Sequence, residues 1–343
     1  MPILRNFMIK PVIIFLLFLI LFTAGNISGQ SCTGAPMGFL ALRSQSPLQQ
    51  LRFGMQYHPP WVARTGTLKM YFEHLWKNMW LYKPDYYLID AEIHEFAVRC
   101  CYGLGRNFEI SAELPVRYVS GGILDRMIEG FHNGIGIDNA GRDEFPRNQF
   151  AFAINNGVGE GGWTYAGSEQ TGWNIGNAVV AVSYAFHDPE SGGTSGVITA
   201  NVKLPTGTRS EYFGGQSVDF GISLSTMSRT GNFYIYACPG MAYYTDKEMI
   251  NIPLEQWHFS ALLAIEYHPK TSRHSWISQL IIESGIAMEF SEFTSNTYEL
   301  IFAYKCSLSD NMTLEIGILE NLFFFDNSPD VGFHFGITKI LKS

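Results

Sequence analysis

At 343 residues the chain is long enough for one large domain or two ordinary ones, and its net charge of −8 excludes the usual nucleic-acid binder. Charged residues make up only 16%, against roughly 25% in an ordinary soluble domain, while aromatics reach 15%. That balance fits a β-protein with much apolar surface outside its core.

Arg5 and Lys10 precede the apolar run "VIIFLLFLILF", 12–22, which falls short of the about 20 residues of a membrane-spanning helix. Small and polar residues follow it, so residues 1–30 are expected to be a secretory signal peptide. Cys32 follows "GQS", a context unlike a lipidation site. Residues 31–66 carry turn signals at Gly54 and Pro59–Pro60 and read as an N-terminal plug ahead of the first strand.

From residue 67 onward the chain alternates with period two. In "TLKMYFEHLW", Leu68, Met70, Phe72 and Trp76 share one face against Lys69, Tyr71 and Glu73. In "NFEISAELPVRY", 107–118, Phe108, Ile110, Ala112, Leu114, Val116 and Tyr118 oppose Glu109, Ser111, Glu113, Pro115 and Arg117. The pattern returns in "VITANVKL", "QWHFSALLAIEYH" and "DVGFHFGITKIL". Several runs exceed the 5–6 residues or so of a soluble strand. They reach the roughly 9–11 that a tilted strand needs to cross a bilayer. No stretch after the leader is apolar enough for a spanning helix, so a membrane-spanning form has to be a barrel. Trp76, Trp80, Tyr118, Trp173, Tyr243, Tyr244, Trp257 and Tyr267 sit at run ends, as interfacial girdles do.

Twelve strands are expected, near 67–80, 87–104, 107–119, 173–187, 194–204, 216–227, 231–245, 256–269, 274–286, 297–308, 311–321 and 330–341. The connections sort by parity: short turns follow the even strands and mostly longer loops the odd ones, as in outer-membrane barrels. The longest excursion, 120–172, contains a helix signal. Leu124, Met127, Ile128 and Phe131 recur at helical spacing, with Gly134 at the expected C-cap. Leu124, Asp125, Met127, Ile128, Glu129, Phe131 and His132 are therefore candidates for a constriction at the barrel mouth. An apolar helix face there docks on the inner wall or on lipid. Asp138, Arg142, Asp143 and Glu144 follow as loop charges, with Arg142 expected to pair with Asp143 or Glu144. Their spacing does not complete a calcium loop.

On the polar strand faces, Glu109, Glu113, Arg117, Lys203 and Glu266 are expected to line the lumen, together with Glu73, Glu299 and Lys305. Such mixed signs suit either an internal ion-pair network or a narrow pore. His258 and Ser260 share one strand face, a spacing open to a serine–histidine pair, but the alternation turns both towards the lumen. The five cysteines have no metal-like spacing, and adjacent Cys100 and Cys101 point to opposite faces. No catalytic residue, metal or cofactor is expected.

"GGILDRMIEGFHNGIGIDNAGRDEFPRNQF", "NFEISAELPVRYVS" and "SPLQQLRFGM" resemble domain-of-unknown-function family 3187, a family of outer-membrane β-barrels, over about residues 45–343. "VKLPTG", 202–207, is similar to a segment shared by several such families. The resemblance implies a fold and a location, not an activity. One departure is the ending "ITKILKS", which lacks the terminal aromatic of the bacterial assembly signal and leaves Leu341 to stand in.

The expected fold is an all-β, up-and-down antiparallel transmembrane β-barrel over 67–343, with a short helix in an extracellular insertion at 120–172. The expected function is a porin-like outer-membrane channel or transporter for small solutes. The alternatives are a non-conducting surface or assembly protein with a partner-binding loop, then a lipid-modifying enzyme using His258 and Ser260. The partners expected are the lipid bilayer, lipopolysaccharide, the outer-membrane assembly machinery and a small solute, with no nucleic acid.

Overall fold

A computed structural model describes residues 35–342 apart from 48, 137, 156–162, 167–170, 188–193, 209–214, 250–251 and 322–326. The leader at 1–30 and Cys32 lie outside the described residues. The chain enters through an irregular stretch with one 3-10 turn, Gln49–Leu51. Strands β1 (Thr67–Lys83), β2 (Tyr87–Gly105) and β3 (Phe108–Ser120) follow. The long excursion then holds helix α1 (Asp125–Ile135) and the short strands β4 (Ala151–Asn155), β5 (Trp163–Ala166) and β6 (Gly172–Ile175). Next come β7 (Val179–His187), β8 (Thr194–Lys203), β9 (Asp219–Thr230) and β10 (Phe233–Tyr243). A two-stranded ribbon, β11 (Glu248–Met249) and β12 (Ile252–Pro253), precedes β13 (Trp257–Tyr267) and β14 (His274–Glu283). After helix α2 (Ser291–Thr294) the chain ends in β15 (Thr297–Ser309), β16 (Met312–Asn321) and β17 (Val331–Lys342).

The twelve long strands form one antiparallel sheet in which β17 pairs back onto β1, from Thr67↔Lys342 to Asn78↔Val331. Closure leaves the barrel wall without an unpaired edge, the condition for strands in lipid. The expected strand count and topology hold. The tight β2–β3 turn at Arg106 and Asn107 carries positive φ at both residues, the form that matches strand twist in a two-residue hairpin.

Burial is inverted relative to a soluble barrel. Phe108, Ile110 and Leu114 are exposed at 40–42%, while Glu109 and Arg117 on the alternate positions of the same strand are 2% and 3% exposed. Only a surrounding apolar solvent reconciles that pattern with the hydrophobic effect. Aromatic pairs mark both rims of the apolar band. Tyr118–Trp173 and Tyr243–Trp257 lie at the end bearing the long loops, and Phe233–Tyr267 and Trp276–Tyr304 at the end bearing the tight turns. Two expected girdle residues do not belong there. Tyr244 points inward, its hydroxyl donating to the Phe53 carbonyl, and Trp80 lies covered by the long excursion.

The largest buried apolar cluster is inside the barrel. Phe39, Leu40, Phe53, Met55 and Tyr57 of the entering stretch pack on inward residues such as Tyr234, Tyr236, Leu262, Ile281 and Ile301. The molecule's core is therefore built by its first segment filling its own lumen.

Candidate functional site

The lumen takes shape around the inward polar residues that the alternation selected. Glu266 on β13 accepts the backbone N–H groups of Met37 (2.8 Å) and Gly38 (3.0 Å). Gln279 on β14 exchanges hydrogen bonds with both backbone groups of Leu40, and Glu299 on β15 accepts the Gln45 N–H at 2.8 Å. Lys305 donates to the Phe39 carbonyl at 3.0 Å. Arg43 forks onto Glu95 of β2 at 2.8 Å, and Arg117 of β3 reaches the same carboxylate. Further along, Glu109 takes His58 Nε2 and the Ala63 N–H, both at 2.6 Å. Residues 37–63 thus hang from strands spread around the wall, through backbone groups that would otherwise be buried without partners.

Charge in this interior is balanced locally. Burial works against the Arg43 charge, but Glu95 and Glu113 more than offset it and hold its pKa above the ordinary value. Burial, with the neighbouring Glu283, pushes the Tyr57 phenol well above its usual range. Lys203 is paired with Asp219 at 2.5 Å, both nearly inaccessible. Glu113 lies 4.0 Å from Arg99. The five lumen residues picked from sequence therefore all face inward, as members of ion-pair and backbone-anchoring networks.

Two features close and open this interior. At the loop end, inward residues of β1 and β2 (Met79, Leu81, Tyr87, Ile89) pack against Phe152 and Ile154 of β4 and against Ile252, Leu254, Ile286 and Phe293. Those last four belong to the two loops holding β11–β12 and α2. At the turn end lies a cavity of about 690 Å3, lined by Trp61, Lys69, Glu73, Arg99, Lys305 and Glu315 among others.

Helix α1 is in neither place. Leu124 and Ile128 pack on Trp76, Ile318, Val331 and Phe333, all on outward faces of β1, β16 and β17. Met127 and Phe131 are 50% and 45% exposed. The expected constriction is thus corrected: the helix braces the outer wall, because the outward strand positions it meets there are apolar and the lumen is already filled by the entering stretch. Its C-cap is Gly136 with φ 73°, not Gly134. Glu92 of β2 substitutes for a helix cap, accepting the N–H groups of Ile123 and Leu124 at 2.9 Å.

Of the four loop charges, Arg142 forms a buried pin. Arg142 is 3% exposed and donates to Asp125 (2.6 Å), Asp330 (2.7 Å) and Asn78 (2.8 Å), above the Trp80 ring. Asp125 also accepts the Asn148 N–H, and Glu129 takes Arg147. The expected pairing of Arg142 with Asp143 or Glu144 does not form; both are exposed, as is Asp138, which only accepts the Ala140 N–H. His132 is half-buried. Glu92 and Asn78 escaped sequence reasoning because each sits on an outward strand position that periodicity assigns to lipid, and Asp330 because it lies just ahead of β17 and far from Arg142 in the chain.

His258 and Ser260 lie on the same face of β13. Both face inward, yet the ring of His258 meets Glu283 at 2.9 Å through Nε2 and Ser284 Oγ at 3.1 Å through Nδ1. Ser260 is not among its partners. Cys100 and Cys101 do lie on opposite faces, and both are free thiols.

A family model described as Protein of unknown function (DUF3187) matches residues 16–340. No curated protein matches the chain. Among solved structures, an outer membrane channel from Pseudomonas putida F1 is similar at 9% identity and a TM-score of 0.57, over 84% of this chain and 100% of that one. The KdgM and NanC porins align at 8% identity over 79% of this chain and 98% of theirs, with TM-scores of 0.43 and 0.45. At such identities the likeness is one of fold: an outer-membrane-type barrel.

Proposed function

The chain belongs to the family described as Protein of unknown function (DUF3187), and we propose that it is an outer-membrane channel for small solutes, held shut in this structure by its own first segment. The observation that carries this reading is the seating of residues 37–63 in the lumen on hydrogen bonds from β2, β3, β13, β14 and β15. A lumen wide enough to admit a peptide chain is wide enough for a small solute once that chain moves. The polar wall beneath it, with both signs of charge, suits a hydrated path. In this reading residues 1–30 are the cleaved leader, the apolar band meets lipid and lipopolysaccharide, and the assembly machinery inserts the barrel. The loops at the mouth add a second, apolar closure.

Planar-bilayer conductance tests it. The mature chain is expected to conduct rarely or in brief openings. Glu266→Gln with Glu299→Gln, which weakens the anchors of Met37, Gly38 and Gln45, is expected to raise open probability severalfold. Deletion of 121–145 is expected to leave conductance unchanged, since α1 lies outside the wall. A barrel silent in all three forms would instead favour a sealed protein that presents its loops to a partner, a reading the half-exposed Met127 and Phe131 suit.

A further inference from the structure

We propose that Glu73, Glu315 and His334 form a binding site for a divalent transition-metal ion of the Zn2+ class on the lumen wall, opening onto the cavity at the turn end. One donor atom from each lies within 4.8 Å of the other two. They come from three neighbouring strands in one register: Glu73 of β1 and Glu315 of β16 both stand opposite Gly336 of β17, and His334 lies two residues before that glycine, on the same inward face. An imidazole nitrogen with two carboxylate oxygens is a donor set suited to Zn2+ or its neighbours. Donors around a tetrahedral centre with bonds of about 2.1 Å lie about 3.4 Å apart, so side-chain torsions alone close the site.

Two further observations point to a ligand. His334 is 1% exposed, and neither ring nitrogen has a hydrogen-bond partner; its Nε2 stops 3.7 Å from Glu315 Oε2. Buried polar groups are ordinarily paired, and an imidazole held between two carboxylates without a bond is what a metal ligand looks like before the ion arrives. Gly336 provides the space. A Cβ there would stand 3.0 Å from His334 Nε2 and 3.4 Å from Glu315 Oε2, so any larger residue would intrude among the donors. The wall cations do not occupy the site. Lys305 bonds Glu315 through Oε1 at 3.0 Å, and Arg99 approaches Glu73 through Oε1 at 3.5 Å, leaving the second oxygen of each carboxylate free to bind. Glu73 and Glu315 line the 690 Å3 cavity, which gives an ion its route and leaves a fourth position for water or a solute anion.

The test uses the full mature chain in detergent, freed of metal by chelation and titrated with Co2+, with Zn2+ as competitor. One saturable Co2+ per chain, displaced by Zn2+, is expected, and X-ray absorption of the Zn2+ form should show one imidazole among oxygen donors. His334→Gln and Glu73→Gln, in barrels whose folding is checked by heat-dependent gel migration, should weaken binding beyond the roughly 10–100-fold that loss of an outer-shell partner costs. Unchanged binding in folded His334→Gln overturns the site, as does an absence of saturable binding. If the variants do not fold, the wild-type spectrum decides: no imidazole means scattered carboxylate binding, and two would assign the ion to the outward His74–His94 pair, 3.1 Å apart. Conduction plays no part in these readouts.

Discussion

Single side chains in this barrel act mainly by pairing groups that lipid or a packed lumen would otherwise leave unsatisfied. Arg142 is the clearest case, since it ties together Asp125 of the excursion, Asn78 of β1 and Asp330 just ahead of β17. Breaking a buried ion pair from one side leaves a desolvated charge, which costs about 3–5 kcal/mol. Arg142→Ala is therefore expected to unlatch the excursion, seen as hydrogen exchange throughout 121–149 rising by orders of magnitude. Adding Asp125→Asn should recover part of that loss. Exchange confined to residues next to 142 would contradict the pin. At this scale sequence reasoning found the right residue types and some wrong partners, because proximity along the chain suggested Asp143 and Glu144 while the fold delivered Asp125 and Asp330. The metal-binding trio shows the same limit: nothing in the spacing of residues 73, 315 and 334 signals a shared site until barrel closure puts β1 beside β17.

Among elements, α1 separates what an amphipathic pattern says from what it leaves open. The periodicity correctly gives a helix and an apolar face, and the Leu124–Ile128 edge of that face is buried while the Met127–Phe131 edge is not. Ile128→Asp is expected to release the helix, since a carboxylate there would be buried against Trp76, Val331 and Phe333 without a partner. Phe131→Asp should change little. Limited proteolysis of 121–149 distinguishes them; equal sensitivity of the two variants would mean the helix docks by its other edge. The N-terminal stretch behaves in the opposite way. It has no strong periodicity, and its order comes from the wall, which supplies Glu109, Glu266, Gln279 and Glu299 as acceptors and donors for its backbone.

For the whole molecule, parity of the connections fixes a polarity. The tight turns, such as 106–107 and 310–311, share one end, and the excursion 121–178 shares the other with the loops that close the mouth. Protease added to intact cells is expected to cut within 121–178, where Ile123 is 70% exposed, and to spare the 106–107 turn until the outer membrane is permeabilised. Cleavage at the turn first would reverse the orientation. The strand number, closure, the inward set of charges and the two-sided sorting of loops were all determined by the sequence alone, because a side-chain period of two and the bilayer's thickness are local constraints written along each strand. Where α1 docks, what seals the mouth, which partner each buried charge takes and which residues share a candidate metal site were decided only by tertiary structure. Those depend on the register between strands far apart in the chain and on whether a polar side chain meets lipid, loop or lumen, and neither is recorded in the periodicity of any one strand.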